Sequence, residues 1–124
     1  MQMSSATITS NREKRITALG KGHPNTEQLV IGMLISCKNE DQERLLANLA
    51  EIGLRGHALY LLIMDYARDI GLIDISPSKL SDGSSLYPVS AHYDIRTKGV
   101  LEKIIDAVLD GKLKEFYEKM LLRK

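Results

Sequence analysis

Two short segments of this chain alternate apolar and polar residues, whereas the segments around them repeat their apolar residues at helical spacing. In residues 71–76, GLIDIS, Ile73 and Ile75 alternate with polar neighbours. Residues 89–99, VSAHYDIRTKG, begin with eight residues in strict alternation. A period of two is typical of a strand with one buried face, and the polar segment between them, residues 77–88, has the composition of a loop. The sequence therefore predicts one β-hairpin with strands at 71–76 and 89–99 and a long tip.

Three apolar segments upstream of the hairpin have the spacing of helices. Residues 25–37 contain a run from Leu29 to Ile35 that is apolar on all sides, which indicates a central buried helix or, alternatively, a buried strand. Residues 40–52 place their leucines on one face and are ended by Gly53, and residues 57–70 carry a wide apolar arc that Gly71 closes. We therefore expect three helices directly before the hairpin.

Capping patterns mark the beginnings of two helices. Ser10 and Glu13 match the capping box, and Gly20 follows as a stop, which predicts a short helix near the N-terminus. Asn25 or Thr26 is expected to cap the next helix.

Two apolar stripes follow the hairpin and are separated by Asp110 and Gly111. The first stripe runs from Val100 to Val108. If one helix ran straight through Gly111, the stripes would point to nearly opposite sides, so either the chain turns there or one helix serves two partners. The second stripe predicts either a dimerisation contact or packing on the chain's own core, and it consists of Leu113, Phe116, Tyr117, Met120 and Leu121.

Length and composition indicate a single globular domain. The chain has 124 residues, 44% of them hydrophobic, and it contains no apolar run near the roughly 20 residues that a membrane-spanning helix needs. Its single cysteine, Cys37, allows no internal disulfide and is expected to be buried. We predict a soluble, cytoplasmic protein without membrane contact.

The net charge of +1 does not indicate any class of binding partner, but the charges are unevenly distributed. Residues 1–38 carry five basic and two acidic groups, a balance of +3. Arg12, Lys14, Arg15 and Lys21 form a basic arm that could follow a phosphate backbone, although a solvated tail is the simpler interpretation.

The inventory of catalytic residues is small. His23, His57 and His92 lie in three distant segments, and no metal-binding or nucleophile motif occurs in the sequence. Asp65 and Asp69 share a helix face with an arginine, which favours a solvated charged face over a catalytic pair. We predict no catalytic residue, no metal site and no cofactor, and hence a protein that is not an enzyme.

The order of elements resembles the winged helix-turn-helix domain of MarR-like and PadR-like transcription regulators. The resemblance lies in Gly71-Leu72-Ile73 directly after the third helix and in Tyr93-Asp94-Ile95-Arg96-Thr97-Lys98-Gly99, which is similar to the family's "GLI … Y-x-L-T-x-x-G" pattern. It implies that the third helix enters the DNA major groove and that the hairpin forms the wing. It also implies that the C-terminal helices pair two copies.

The predicted fold class is therefore mainly α with a small β-hairpin (α+β), a winged helix-turn-helix with a C-terminal helical extension. Residues 1–22 are expected to be a flexible basic arm with a possible short helix. Residues 23–99 would form the winged-helix domain. Residues 100–124 would form C-terminal helices that act as a dimerisation element.

Two functions follow from these patterns. The first is a homodimeric DNA-binding transcription regulator that contacts duplex DNA through Arg55, His57, Tyr60, Lys79, Ser84, Ser85 and Lys98. The second is a non-enzymatic protein–protein interaction module on a winged-helix or helical scaffold. The second is favoured by the near-zero net charge and by Asp65 and Asp69 on the third helix, because acidic groups facing phosphates reduce affinity.

Overall fold

The computed structural model describes residues 10–83 and 85–123. This part of the chain is mainly helical with a small two-stranded antiparallel sheet, as the sequence predicted. Its elements are α1 (Ser10–Gly20), α2 (Pro24–Ser36), α3 (Gln42–Ile52), α4 (Gly56–Asp69), β1 (Ser78–Lys79), β2 (Ser85–Leu86), α5 (Val89–Ile95), α6 (Lys98–Leu109) and α7 (Lys112–Leu122), with a short 3₁₀ turn at Asn39–Asp41 before α3.

Helix α4 lies at the centre of the core and packs against α1, α2, α6 and α7. Eight of its 14 residues are buried. The neighbouring α2 buries Leu29, Val30, Met33 and Leu34 completely. The apolar run in α2 is thus a central helix, as predicted, and the alternative of a buried strand is wrong.

Glycines end two helices where the sequence predicted a stop. Gly53 lies at the C-terminus of α3 with φ +89°, and Gly71 follows α4 with φ +80°. The predicted cap of α2 was wrong: the N-cap is His23, whose side chain accepts a hydrogen bond from the backbone N–H of Thr26. Pro24 explains the difference, because its fixed φ suits the first helical position and places the cap one residue before it.

The predicted position of the hairpin was wrong. Residues 71–76 contain no strand, and the two strands lie inside the predicted tip, with Ser78 opposite Leu86 and Lys79 opposite Ser85. The predicted second strand, Val89–Ile95, is the helix α5.

The alternating pattern of residues 89–95 was misinterpreted as a strand. Apolar residues at every second position are also four positions apart in pairs, and a spacing of four is that of one helix face. In a helix, Ala91 and Ile95 share one face and are buried, whereas Val89 and Tyr93 share another and are 65% and 64% exposed. Pro88 supports the helix by holding the extended backbone of the N-cap position. A strand would have placed all four side chains on one buried face.

The chain turns between the two C-terminal stripes, so the first of the two alternatives at Gly111 is confirmed. Gly111 has φ +77° and stands between α6 and α7, which pack against each other. Leu113 is buried, and the ring of Phe116 meets that of Tyr66 edge-on with centroids 5.4 Å apart.

The helix predicted near the N-terminus is present as α1. It packs on α2 and buries Ile16 and Leu19, so from Ser10 onward the predicted arm is a packed helix. Residues 1–9 lie outside the described residues. Within 10–83 and 85–123, no helix combines the length and apolar composition that crossing a bilayer requires.

We expect Tyr87→Phe to lower the free energy of unfolding by about 1–2 kcal/mol, because the buried Tyr87 hydroxyl donates a 2.6 Å hydrogen bond to Asp65 Oδ1 on α4. Burial, with Asp65 beside it, raises the pKa of Tyr87. Urea unfolding measures the loss. Tyr93→Phe is the matched control, because that side chain is exposed, and an equal loss in both variants would contradict the assignment.

Candidate functional site

The three histidines of the chain, which lie far apart in sequence, come together at one end of the molecule. His23 precedes α2, His57 lies in the first turn of α4, and His92 belongs to α5. His23 Nε2 is 3.4 Å from His57 Nδ1, and the His23 ring lies beside that of Tyr60, with centroids 5.6 Å apart. The Tyr60 hydroxyl is hydrogen-bonded to His92 Nδ1. We call His23, His57, Tyr60 and His92 the histidine cluster.

A close approach of backbone segments creates this cluster. Gly56, the first residue of α4, has φ +59°, and a Cβ there would lie only 3.2 Å from the carbonyl oxygen of Gly20. Glycine therefore lets the start of α4 lie against the turn that precedes α2. The fully buried Thr26 joins the two helix starts, since its Oγ1 donates a 2.9 Å hydrogen bond to the Gly56 carbonyl.

His23 connects the cluster to the backbone of α2. Its Nδ1 lies 3.3 Å from the backbone nitrogen of Thr26, from which it accepts the capping hydrogen bond, and 2.8 Å from Thr26 Oγ1. An imidazole nitrogen can accept this bond only while it carries no proton. The cap therefore requires an unprotonated Nδ1, whereas the contact with Thr26 Oγ1, whose own proton goes to the Gly56 carbonyl, requires a proton on Nδ1.

The surroundings of the cluster disfavour protonation of two of its histidines. Burial, and then the charge of His57, hold the pKa of His23 below its ordinary value of 6.5. Burial, and then the charges of Arg96 and His23, lower the pKa of His92 as well. Both shifts favour neutral imidazoles at neutral pH.

Three of the predicted DNA-facing residues lie at this end of the molecule. Arg55, which is partly buried, donates a 3.0 Å hydrogen bond from Nη1 to the carbonyl oxygen of Leu54. His57 is exposed beside His23, whereas Tyr60 is 3% exposed and belongs to the core. Of these three, Tyr60 cannot reach a ligand in the folded protein.

The remaining predicted DNA-facing residues lie on other elements. Lys79 and Ser85 face each other across the hairpin, where Lys79 Nζ lies 3.3 Å from Ser85 Oγ. Lys98 is exposed at the first residue of α6. Ser84 lies outside the described residues.

Two arginines of the predicted basic arm are bound within the chain. Arg12 Nε and Arg15 Nη1 lie 3.1 and 2.7 Å from the carboxylate oxygens of Glu43, joining α1 to α3. The hydrogen bond from Arg15 is the main reason that the pKa of Glu43 is lowered. Arg12 also donates to Gln42 Oε1. These contacts offset part of the positive charge that the sequence assigned to phosphate binding.

Helix α5 exposes an apolar and aromatic face that the sequence analysis missed. Val89 and Tyr93, four residues apart, are both largely exposed, and the Arg96 guanidinium lies 5.9 Å from the centroid of the Tyr93 ring. Arg96 Nη1 also donates a 2.7 Å hydrogen bond to Gln28 Oε1 on α2. We call Val89, Tyr93 and Arg96 the α5 outer face. The spacing of four in this segment was the signal that could have revealed it.

The predicted dimerisation stripe on α7 is mostly used inside the chain. Leu113 is 1% exposed, and Phe116, Tyr117 and Met120 are partly buried against the core. Leu121 remains exposed, together with Leu122 at the end of the helix. A second copy could therefore reach Leu121 and the accessible parts of Phe116, Tyr117 and Met120 without unfolding α7.

The arrangement of the cluster suits hydrogen bonding. Among residues 10–83 and 85–123, no three His, Cys, Asp or Glu side chains are placed to hold a metal ion together. Comparison with protein-family models, curated proteins and solved structures found no match to this chain. We therefore infer the function from the residues of the chain and their contacts.

We expect Thr26→Val to lower the free energy of unfolding by about 1–3 kcal/mol, because it leaves the Gly56 carbonyl without its buried donor while preserving side-chain volume. Thermal unfolding measures the change. Thr17→Val on the exposed side of α1 is the matched control. If both variants melted alike, the contact between the two helix starts would not contribute as described.

Proposed function

We propose that this chain is a non-enzymatic protein-interaction module that docks a partner protein on the α5 outer face. The observation that carries the proposal is the exposure of Val89 and Tyr93 on a helix whose opposite face is already in the core. Tyrosine and arginine are enriched among the residues that dominate binding energies, and the stacked Tyr93 and Arg96 provide both. A helix with two apolar faces leaves one of them for a partner.

The charge distribution supports a protein partner over a polyanion. The net charge is +1, and Arg12 and Arg15 of the basic arm are bound to Glu43. Affinity for nucleic acid depends on several cations that can contact phosphates. An aromatic and apolar surface with one stacked guanidinium suits a protein interface better.

The position of α4 also supports the interaction module. α3 and α4 are joined by three residues that include Gly53, a connection typical of helix-turn-helix motifs, so the resemblance to the winged-helix family stays a proposal for the fold. The exposed residues of α4 lie at its two ends, with His57 and Ala58 at one and Arg68 and Asp69 at the other. Between the two ends Leu61 and Asp65 are half-buried, and Asp65 accepts the hydrogen bond of Tyr87, so lengthwise insertion of α4 into a major groove would displace Tyr87 from this face.

A second candidate is contact with duplex DNA, favoured by the basic groups around the start of α4. Lys21, Arg55, His57 and Arg96 lie at or next to the histidine cluster, and a helix N-terminus favours phosphate. In this alternative the first turn of α4 meets the DNA end-on, while phosphate contacts set the register. The homodimer proposed with it would pair through Leu121 and Leu122 on α7.

If α5 docks a partner, a photo-crosslinking amino acid in place of Tyr93 should give one discrete protein adduct in an extract of the source cells. Unlabelled protein should compete for this adduct, whereas Val89→Asp protein should not. Lys103, exposed on α6, is the matched control position. With the purified partner, Tyr93→Ala should weaken binding by about thirtyfold, the equivalent of roughly 2 kcal/mol at an interface hot spot. Equal adducts at positions 93 and 103 would overturn the proposal.

The DNA candidate predicts an electrophoretic shift of mixed-sequence duplex at low salt that disappears as salt is raised. Arg55→Glu should abolish the shift, and Lys103→Glu, which changes the net charge equally, should preserve it. The solution mass measured in the same buffer reports whether the protein is a dimer. Absence of a shift at low salt would exclude this candidate. A shift unaffected by Arg55→Glu would show that the start of α4 is not the contact.

A further inference from the structure

We propose that the histidine cluster is a proton-sensitive latch that joins α5 to the starts of α2 and α4, closed when its imidazoles are neutral and weakened when they are protonated. The inference concerns the chain's own conformation and holds whether the partner is a protein or DNA. It rests on three contacts, which involve His23 with His57, His23 with Thr26, and His92 with Tyr60.

The contact between His23 and His57 accommodates a limited number of protons. A hydrogen bond between two ring nitrogens 3.4 Å apart needs one N–H and one lone pair. When both rings are fully protonated, two N–H groups and two positive charges face each other. Protonation of both rings therefore breaks the contact.

Protonation also acts against the helix starts. A proton on His23 Nδ1 removes the acceptor of the Thr26 backbone N–H that caps α2, and Nδ1 then donates to Thr26 Oγ1, 2.8 Å away, instead. His23 and His57 lie at the N-termini of α2 and α4, where the helix dipole disfavours positive charge. A proton on His23 therefore acts through both the cap and the dipole, whereas a proton on His57 acts through the dipole alone.

His92 extends the latch to α5. It is partly buried, hydrogen-bonded to Tyr60 on α4, and four residues before Arg96, the C-cap of α5. A proton on His92 adds a positive charge close to those of Arg96 and His23, which is why these two groups lower its pKa. The hydrogen bond that holds α5 to α4 therefore involves a group that resists protonation in the closed state.

The charged groups of every neighbouring element contribute to this balance. Lys21 lies in the turn before α2. Glu27 is the single acidic residue of α2, and its side chain packs at Gly20. His57 lies on α4, Arg55 directly precedes α4, and Arg96 directly follows α5. On α1, Arg12 and Arg15 form ion pairs with Glu43. Lys98 is exposed at the start of α6. α5 also carries the exposed Asp94. After burial, the charge that lowers the pKa of His23 is that of His57, and those that lower the pKa of His92 are Arg96 and His23.

Helix α5 is the element that can respond locally. It has seven residues and follows a hairpin whose strands have two residues each. Its buried anchors are Ala91 and Ile95, with Tyr87 just before it. Opening this segment exposes much less apolar surface than unfolding the helices around α4, so local opening costs less free energy than global unfolding.

The direction of the pH effect follows from the lowered pKa values of His23 and His92. The closed form binds fewer protons than the open or unfolded form, whose histidines titrate near 6.5. The latch is therefore fully closed above about pH 7.5, weakens as the pH falls through 6.5, and weakens no further below the pKa values of the closed state.

Amide hydrogen exchange at about pH 7.5 and about pH 5.5, corrected for intrinsic exchange rates, tests the latch. We expect residues 89–95 to lose protection by about tenfold or more at the lower pH, while residues 101–108 of α6 change little. In the variant His23→Asn/His57→Gln/His92→Gln, which has no histidine, this loss should disappear, and Asn at position 23 keeps a good N-cap.

Two results would overturn the proposal. The first is a loss of protection in α5 that is no larger than in α6. The second is a loss that persists in the histidine-free variant. If that variant does not fold, His92→Gln alone serves, since it should reduce the pH dependence of α5 protection while NMR titration of His23 and His57 follows the remaining pair. Unchanged pH dependence in His92→Gln would equally contradict the latch.

Discussion

The burial of α4 along most of its length is the constraint on which the rest of the structure depends. α1, α2, α6 and α7 all pack on this helix, and their apolar stripes form one core around it. Leu59, Ile63 and Met64 are fully buried, whereas the exposed residues of α4 lie in its first and last turns, and Leu61 and Asp65 between them are half-buried. A ligand that contacts α4 therefore meets mainly its two ends and the elements attached to them, which are the turn before α2, the hairpin and α5.

The helices were predictable because their signals are local. A run of apolar residues on all sides indicated the central position of α2, and glycines after the stripes indicated where α3 and α4 end. The hairpin was placed wrongly because, over the seven residues 89–95, an alternating strand pattern also contains apolar pairs at the helical spacing of four. Burial decides between them, since Tyr93 faces solvent in the helix and would have faced the core in a strand.

The site could not be predicted in the same way. Bringing His23, His57 and His92 together requires Gly56 to lie against Gly20 and α5 to pack beside α4, and neither contact is encoded within a short window. The same applies to Glu43, whose contacts with Arg12 and Arg15 span about thirty residues of sequence. Charge counted along the chain therefore overestimated the positive surface available to a phosphate backbone, because ion pairing depends on the tertiary structure.

The position of α5 links its outer face to the histidine cluster, because His92 of the cluster lies on the same helix. Ala91 and Ile95 alone give a seven-residue helix a small buried face, so polar contacts must contribute much of its orientation. Three such contacts are the bonds from Tyr60 to His92, from Tyr87 to Asp65 and from Arg96 to Gln28. Only the first of them involves a histidine, the side chain whose ordinary pKa lies closest to neutral pH. If the latch works as proposed, the presentation of Val89 and Tyr93 would depend on the protonation of the cluster, whereas the apolar core around α4 would not.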